Sequence, residues 1–215
     1  MTLGDVVCRK VRWRCIWWVV FGGGAMLSNR FKRIDVEIEG IAPLLMHRFS
    51  AQSAEQLKSR TRKGSTNHKS DDPKIIAENA AYRDPKTGEL YIPSYMIHAA
   101  MRNAVATDMK LGRSKQETRQ RVAGGIYIAP EKLFLGTKDY KIQEDVAVNH
   151  NNQARVLVYR PRIDKWKLKF TIYYDARRLN PDFIRALLEE AGIYSGIGAH
   201  RPLHGRFKVV SFEPK

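Results

Sequence analysis

An α+β fold is predicted by three observations: a strictly alternating strand early in the chain, two helices with well-formed start signals, and strand patterns that return after each helix. From Phe31 to Gly40, Ile34, Val36 and Ile38 fall on one face and Asp35, Glu37 and Glu39 on the other, the period of a half-buried strand. After Pro43-Leu44-Leu45-Met46, the polar and basic stretch from Arg48 to Asp72 is too long for a simple connector and reads as an insertion. Asp72-Pro73 supplies an N-cap and a first-turn proline for a helix to about Tyr82, Asp84 to Gly88 reads as a turn, and Glu89 to Ile92 as a short strand. Pro93-Ser94 then opens a helix whose apolar stripe is Ile97, Ala100, Met101, Ala104 and Val105. A basic segment with Lys110, Arg113, Lys115, Arg119 and Arg121 follows, and Gly125-Ile126-Tyr127-Ile128 resumes strand character with Leu133-Phe134-Leu135 as its expected neighbour.

Gly136 to Gln153 reads as loop, and Arg155 to Arg162 with Lys165 to Tyr174 as a hairpin turning near Ile163-Asp164. In its second arm Trp166, Leu168, Phe170, Ile172 and Tyr174 make an apolar face, while Lys165, Lys167 and Lys169 make the other face cationic. Asn180-Pro181-Asp182 combines an N-cap, a first-turn proline and an acid that suits the helix dipole. Phe183, Leu187, Leu188 and Ala191 give that helix its buried stripe and Gly192 its expected C-cap, before a glycine-rich loop to Gly205 and a last strand from Arg206 to Phe212. With insertions set aside, the order strand, helix, strand, strand, helix, strand predicts a ferredoxin-like sandwich.

No linker or tandem repeat divides residues 26–215, which read as a single domain with loop insertions over 48–72 and 108–121. Residues 1–25 differ: they hold both cysteines, Cys8 and Cys15, and three of the four tryptophans. Their apolar run from Cys15 to Phe21 falls short of the roughly 20 residues a bilayer span needs. Gly22-Gly23-Gly24-Ala25-Met26 reads like a translated ribosome-binding site, which points to a start at Met26 and an atypical extension before it.

The chain carries 38 Lys plus Arg against 22 Asp plus Glu, a formal charge of +16. Removing the four bases and one acid of residues 1–25 still leaves +13, so the charge points to a polyanionic partner. Nucleic acid is the leading class and an anionic membrane the second. Two cysteines make no disulfide framework, and their spacing suggests no zinc site, which argues for a reducing compartment, the cytoplasm. Neither a cofactor nor a metal is expected, because carboxylate or histidine pairs are lacking and no nucleophile elbow is present.

Gly196 to Arg206 is the most informative segment. Gly196 and Gly198 let backbone N–H groups approach an anion, and His200, Arg201, His204 and Arg206 add charge or hydrogen bonds. The segment follows a helix and precedes a strand, unlike a dinucleotide fingerprint or a P-loop. Candidate nucleic-acid contacts are therefore these residues with Arg102 and Arg113, Lys58, Arg60, Arg62 and Lys63 in the first insertion, and Lys165, Lys167 and Lys169 on the strand face. Tyr127, Tyr159 and Tyr173 are candidates to stack on bases, at about 1–3 kcal/mol each.

Tyr91-Ile92-Pro93-Ser94-Tyr95-Met96-Ile97-His98-Ala99-Ala100-Met101-Arg102 resembles the IPxSxxxxAxR pattern that leads into the first helix of the RAMP superfamily, the RNA-binding proteins of CRISPR systems. Gly196-Ile197-Gly198-Ala199-His200-Arg201, with Gly205-Arg206-Phe207, resembles its glycine-rich loop and last strand. The resemblance covers about 25 residues and is closest to the subunit that polymerises along CRISPR RNA as the backbone of effector complexes. It implies an RNA-recognition-motif-like sheet with a hairpin thumb, self-association into a helical or filamentous array, other effector subunits as partners, and non-enzymatic binding of single-stranded RNA.

Two alternatives remain open on the sequence. One is a metal-independent endoribonuclease using some of His47, His68, His98, His150, His200 and His204, or Asp71-Asp72 in the manner of a loop aspartate, although a helix cap accounts for Asp72. The other is a phage protein binding single-stranded DNA or assisting recombination, since Tyr95-Met96 departs from the superfamily's small residues and lysine.

Overall fold

The computed structural model describes residues 30–49, 72–105, 111, 113–148 and 155–215. The expectations for residues 1–25, Lys58, Arg60, Arg62, Lys63, His68, Asp71 and His150 lie outside these described residues.

Strand β1 (Phe31–Gly40) buries Ile34, Val36 and Ile38, as its alternation requires. Beside it lies β8 (Lys167–Asp175), whose Leu168, Phe170, Ile172 and Tyr174 are buried in turn. With β4 (Ile126–Ala129) and β9 (Phe207–Pro214) they form an antiparallel four-stranded sheet in the order β4-β8-β1-β9. Helix α2 (Ser94–Ala104) lies between β1 and β4 in sequence, and α4 (Pro181–Glu190) between β8 and β9. That connectivity and strand order are those of the ferredoxin-like fold, and the structure has it. Ile97, Ala100 and Met101 of α2 join Ile184, Leu187 and Leu188 of α4 in one core with the buried sheet face.

The local start signals act as read. Asp72 caps α1 (Pro73–Ala80) by accepting from Lys74 N at 2.9 Å, and Asn180 caps α4 by accepting from Phe183 N at 2.7 Å. Helix α3 (Lys115–Gly125) occupies part of the region read as a loop insertion, its first turn capped by Ser114, whose Oγ accepts from Glu117 N at 3.1 Å, while the Glu117 carboxylate accepts from Arg113 N at 2.9 Å. Gly192 is not a C-cap: α4 continues into one π-helical turn, Ala191–Ser195, and Gly196 ends it at φ 64°. Gly192 instead lets Phe207 approach, since a Cβ there would lie 2.2 Å from the Phe207 carbonyl oxygen.

Three pairings differ from those read in the sequence. The segment Gly136 to Gln153 is not all loop, because β6 (Lys141–Val148) pairs with β7 (Arg155–Ile163). A second sheet follows, β2-β7-β6, with β2 at Leu44–Leu45. Strands β7 and β8 therefore make no hairpin. Between them Trp166 carries the chain from one sheet to the other, 3% exposed, with its Nε1–H on the Ala42 carbonyl at 2.9 Å and its ring edge against Phe207. Lastly, β5 (Lys132–Phe134) pairs with β3 (Tyr91–Pro93) rather than with β4.

Asp175 is buried at the end of β8 and accepts from Arg30 Nη2 at 2.8 Å and Arg177 N at 3.1 Å. The Arg30 hydrogen bond, more than offsetting desolvation, holds its carboxyl below the usual aspartate range. Asp84, buried and hydrogen-bonded to Lys132 and to the Thr87 and Lys86 amides, is lowered in the same way. A carboxylate depressed in the folded state adds stability above the unfolded value, and that stability drains away as pH falls through the folded one. Denaturant melts taken downward from pH 5 are thus expected to lose stability from near the ordinary value of 3.8. Asp175→Asn should be less stable at pH 7 and have a shallower acid limb; an unchanged limb would show that Asp175 contributes none of it.

Candidate nucleic-acid interface

The segment after α4 forms a closed loop pinned against β2. Ile197 N donates to Gly205 O at 3.0 Å, Ala199 N to Leu45 O at 2.8 Å and Gly205 N to Pro43 O at 2.9 Å. Gly198 sits at φ 81°, and a Cβ on it would lie 2.4 Å from the Leu45 oxygen; at Gly205, φ 71°, a Cβ would lie 1.8 Å from the Ile197 oxygen. These glycines thus give the loop its close approach to β2. His200 adopts φ 53° and the Arg201-Pro202 peptide is cis.

The pinned loop projects its polar residues. His200 and Arg201 are exposed, His204 and Arg206 half-buried, and Arg206 Nε donates to the Pro202 oxygen at 2.7 Å. Together with Asn103 at the end of α2 and Tyr194 and Ser195 of the π turn, Gly198 to Pro202 line a surface cavity of about 480 Å³. Arg102 is exposed in the last turn of α2. Neither it nor Arg201 nor Arg206 forms an ion pair with another described residue.

The outer face of the four-stranded sheet is different. It is not the uniformly cationic surface that Lys165, Lys167 and Lys169 suggest, because the register sets the acids of β1 opposite the lysines of β8. Lys167 lies 3.2 Å from Glu39 and Lys169 3.3 Å from Glu37, while Lys208 of β9 lies 2.9 Å from Glu39. Lys215 pairs with Asp35. Exposed pairs like these contribute about 0–1 kcal/mol each, yet they leave little net charge for a polyanion. Lys165 precedes β8 and is exposed. At the other end of this face Tyr127 and Tyr173 meet across the strands, ring centroids 6.2 Å apart, with Arg33 opposite Tyr173. Tyr159 is half-buried on β7, away from this pair. Arg113 stands exposed before α3, its N–H bonded to Glu117.

A further set of residues gathers beneath the glycine loop. In the β6–β7 ladder Gln143 faces Arg160 and Lys141 faces Arg162, placing these side chains on one face with Asp145. Arg160, only 7% exposed, bonds Asp145 through Nη1 at 2.8 Å, and Gln143 bonds Asp145 at 2.9 Å and Arg162 at 3.2 Å. His47 continues the line of β2, where Met46 N reaches Pro161 O, and the His200 and His204 rings lie 6.3 Å apart. Desolvation alone would raise the Asp145 carboxyl, but Gln143, Arg160 and the His200 charge bring it below its usual range. Desolvation followed by the Arg160 and His200 charges lowers His47; desolvation followed by His200 and Arg162 lowers His204.

Sequence reading missed Arg160, Arg162 and Asp145. The available signal was Tyr159-Arg160-Pro161-Arg162-Ile163, a strand whose alternate positions carry arginine. His98 lies elsewhere, its ring hydrogen-bonded toward the backbone of Val122 and Ala123 in α3. No described group of His, Cys, Asp and Glu residues has the arrangement of a metal site. Among the described residues no helix is long and apolar enough to cross a membrane.

No family model matches the sequence and no curated protein matches it. A solved structure does share the fold: a chain of the Type III-B Cmr-beta complex bound to cognate target RNA, at 17% sequence identity and a TM-score of 0.55. The match covers 92% of this chain and 65% of that one, so this chain spans about two thirds of the length of its structural neighbour and has its ferredoxin-like architecture.

Proposed function

We propose that this protein binds single-stranded RNA through the cavity and cationic rim of the 196–206 loop, without cleaving it, and that copies associate along the strand as in a CRISPR effector backbone. The observation that carries the reading is the contrast between two surfaces. Lysines on the sheet face have acidic partners, whereas Arg201 in the cavity wall, Arg206 bonded to the lining residue Pro202, and Arg102 next in sequence to Asn103 have none among the described residues. The fold shared with a chain of an RNA-bound complex favours RNA over DNA. Lys58, Arg60, Arg62, Lys63, Arg113 and Lys165 extend the same reading as additional phosphate contacts, with Tyr127 and Tyr173 as a stacking platform.

Self-association draws on β6 and β7. Val146 and Leu157 are direct partners, and they are 60% and 51% exposed, with Val148 at 50% on the same face. An exposed apolar ribbon of this kind suits burial against a neighbouring copy. Light scattering of the protein with a long single-stranded RNA is expected to report a multi-copy array, reduced to single-copy binding by Val146→Lys with Leu157→Lys. A wild-type complex of one copy per strand would contradict the array. Anisotropy with labelled single-stranded RNA, duplex RNA and single-stranded DNA tests the binding itself; equal affinity for all three at moderate salt would reduce it to nonspecific charge.

The endoribonuclease reading draws support from one observation, the neighbouring His200 and His204 rings. End-labelled RNA shortened by the wild type, but not by His200→Ala, would establish it and displace the non-enzymatic reading.

A further inference from the structure

The outer face of the four-stranded sheet changes character along its length. Toward Gly40 its acids and lysines pair off, whereas at the Phe31 end three aromatic rings face solvent: Tyr127 is 57% exposed, Phe31 44% and Tyr173 37%. The register sets Tyr127 of β4, Tyr173 of β8 and Arg33 of β1 in one row. The two tyrosine rings lie 6.2 Å apart at an interplanar angle of 37°, and Arg30 lies over the Phe31 ring, its Cζ 5.6 Å from the centroid. Cross-strand packing accounts for the edges at which the tyrosines meet. It does not cover the rest of either ring, and β4 is an edge strand, so no further strand of this sheet shields Tyr127.

The charge around these rings is positive and only partly balanced. Asp175 is committed to Arg30, and Asp35 to Lys215 and Thr171. Glu213, opposite Asp35 on β9, accepts from Ser211. Arg33 is exposed, as are Arg177 and Arg178 just past β8, and none of the three forms an ion pair with another described residue. Flat aromatic faces beside free guanidinium groups suit a ligand that joins a planar base to an anionic linkage. A duplex could use the cations alone, because its base faces are already stacked on one another.

We infer that the row Tyr127, Tyr173 and Arg33 is a stacking site for unpaired nucleotides, the tyrosines taking base faces and Arg33 the adjoining phosphate, and that this row makes the protein choose single-stranded over duplex RNA. The ligand class rests on the reading above, but the site makes no use of the 196–206 loop. That loop meets β1 at its other end, where Ile41 N donates to Arg206 O at 2.9 Å. From Arg33 to Ile41 the strand rises about 25 Å, at roughly 3.3 Å per residue. The two surfaces therefore have different tasks. The loop holds backbone phosphates, which single and double strands share, and the tyrosine row holds base faces, which only an unpaired strand presents.

The test uses the full chain with hexaadenylate, a longer single-stranded RNA and the same RNA as a duplex. Hexaadenylate is expected to move the ring proton resonances of Tyr127 and Tyr173 upfield, and tripolyphosphate, which carries charge without bases, is not. Tyr127→Leu with Tyr173→Leu should weaken single-strand binding about tenfold and leave duplex binding unchanged, whereas phenylalanine at both positions should keep the wild-type preference. Arg33→Ala should flatten the dependence of log affinity on log salt by about 0.7. A leucine double variant with the wild-type preference for single strands, or tyrosine resonances that hexaadenylate leaves in place, would overturn the tyrosine site; a loss of binding in Arg201→Ala would then leave the loop reading intact. Weakened single-strand binding in the leucine variant beside an unaffected Arg201→Ala would uphold the tyrosine row and remove the loop. Tyrosine resonances that respond to protein concentration but not to hexaadenylate would assign the face to contact between copies and overturn the proposal. If the leucine variant fails to fold, the wild-type resonances decide.

Discussion

Gly205→Ala is expected to destabilise the protein by about 3 kcal/mol or more, since it combines a strained backbone with overpacking against fixed main chain. The added Cβ would lie 1.8 Å from the Ile197 oxygen at a residue held at φ 71°. Neither partner can yield cheaply. Ile197 and Gly205 are bonded to each other and Gly205 N to Pro43 O, so relief of the clash must open the loop or lift it from β2. For a folded unit of this size the loss corresponds to roughly 10 °C in melting temperature. Because the loop lines the cavity, RNA affinity should fall with stability even at temperatures where the variant remains folded. A melting temperature within a degree or two of the wild type would show that the 196–206 loop is not held as described.

The second large effect concerns the rim. Arg201→Ala should weaken RNA binding about tenfold at low salt while leaving the melting temperature unchanged, because Arg201 is exposed and has no ion-pair partner among the described residues. Arg206→Ala should weaken binding similarly but also lower stability, since Arg206 Nε anchors the Pro202 carbonyl at 2.7 Å. The double variant should flatten the dependence of log affinity on log salt by about 1.4, from about 0.7 per single-strand phosphate contact. Unchanged affinity and slope in Arg201→Ala would remove the loop rim from the interface.

What was legible in the sequence depended on range. Caps at Asp72 and Asn180 act over two or three residues, and both were read correctly. The alternation of β1 and β8 gave the buried faces because each strand carries its own period. Which strand pairs with which is decided by contacts far apart in sequence. The acids of β1 and the lysines of β8 were both visible, but only their register shows that they cancel. Strand β6 is not legible because Gln143-Glu144-Asp145 interrupts its apolar alternation, and the strand is held by its pairing with β7. The glycine loop stands out by composition, whereas the strands it rests against, β2, β6 and β7, are brought together only by the fold.

Photocrosslinking of a 4-thiouridine RNA to the full chain, followed by mass mapping of the linked peptides, addresses the central claim most directly. Crosslinks are expected in the peptides spanning Tyr194 to Arg206 and Asn103, the walls of the cavity, and they should diminish in Arg201→Ala. Crosslinks confined to the outer sheet face, with none between Tyr194 and Arg206, would contradict the account and move the interface to the tyrosine pair on β4 and β8.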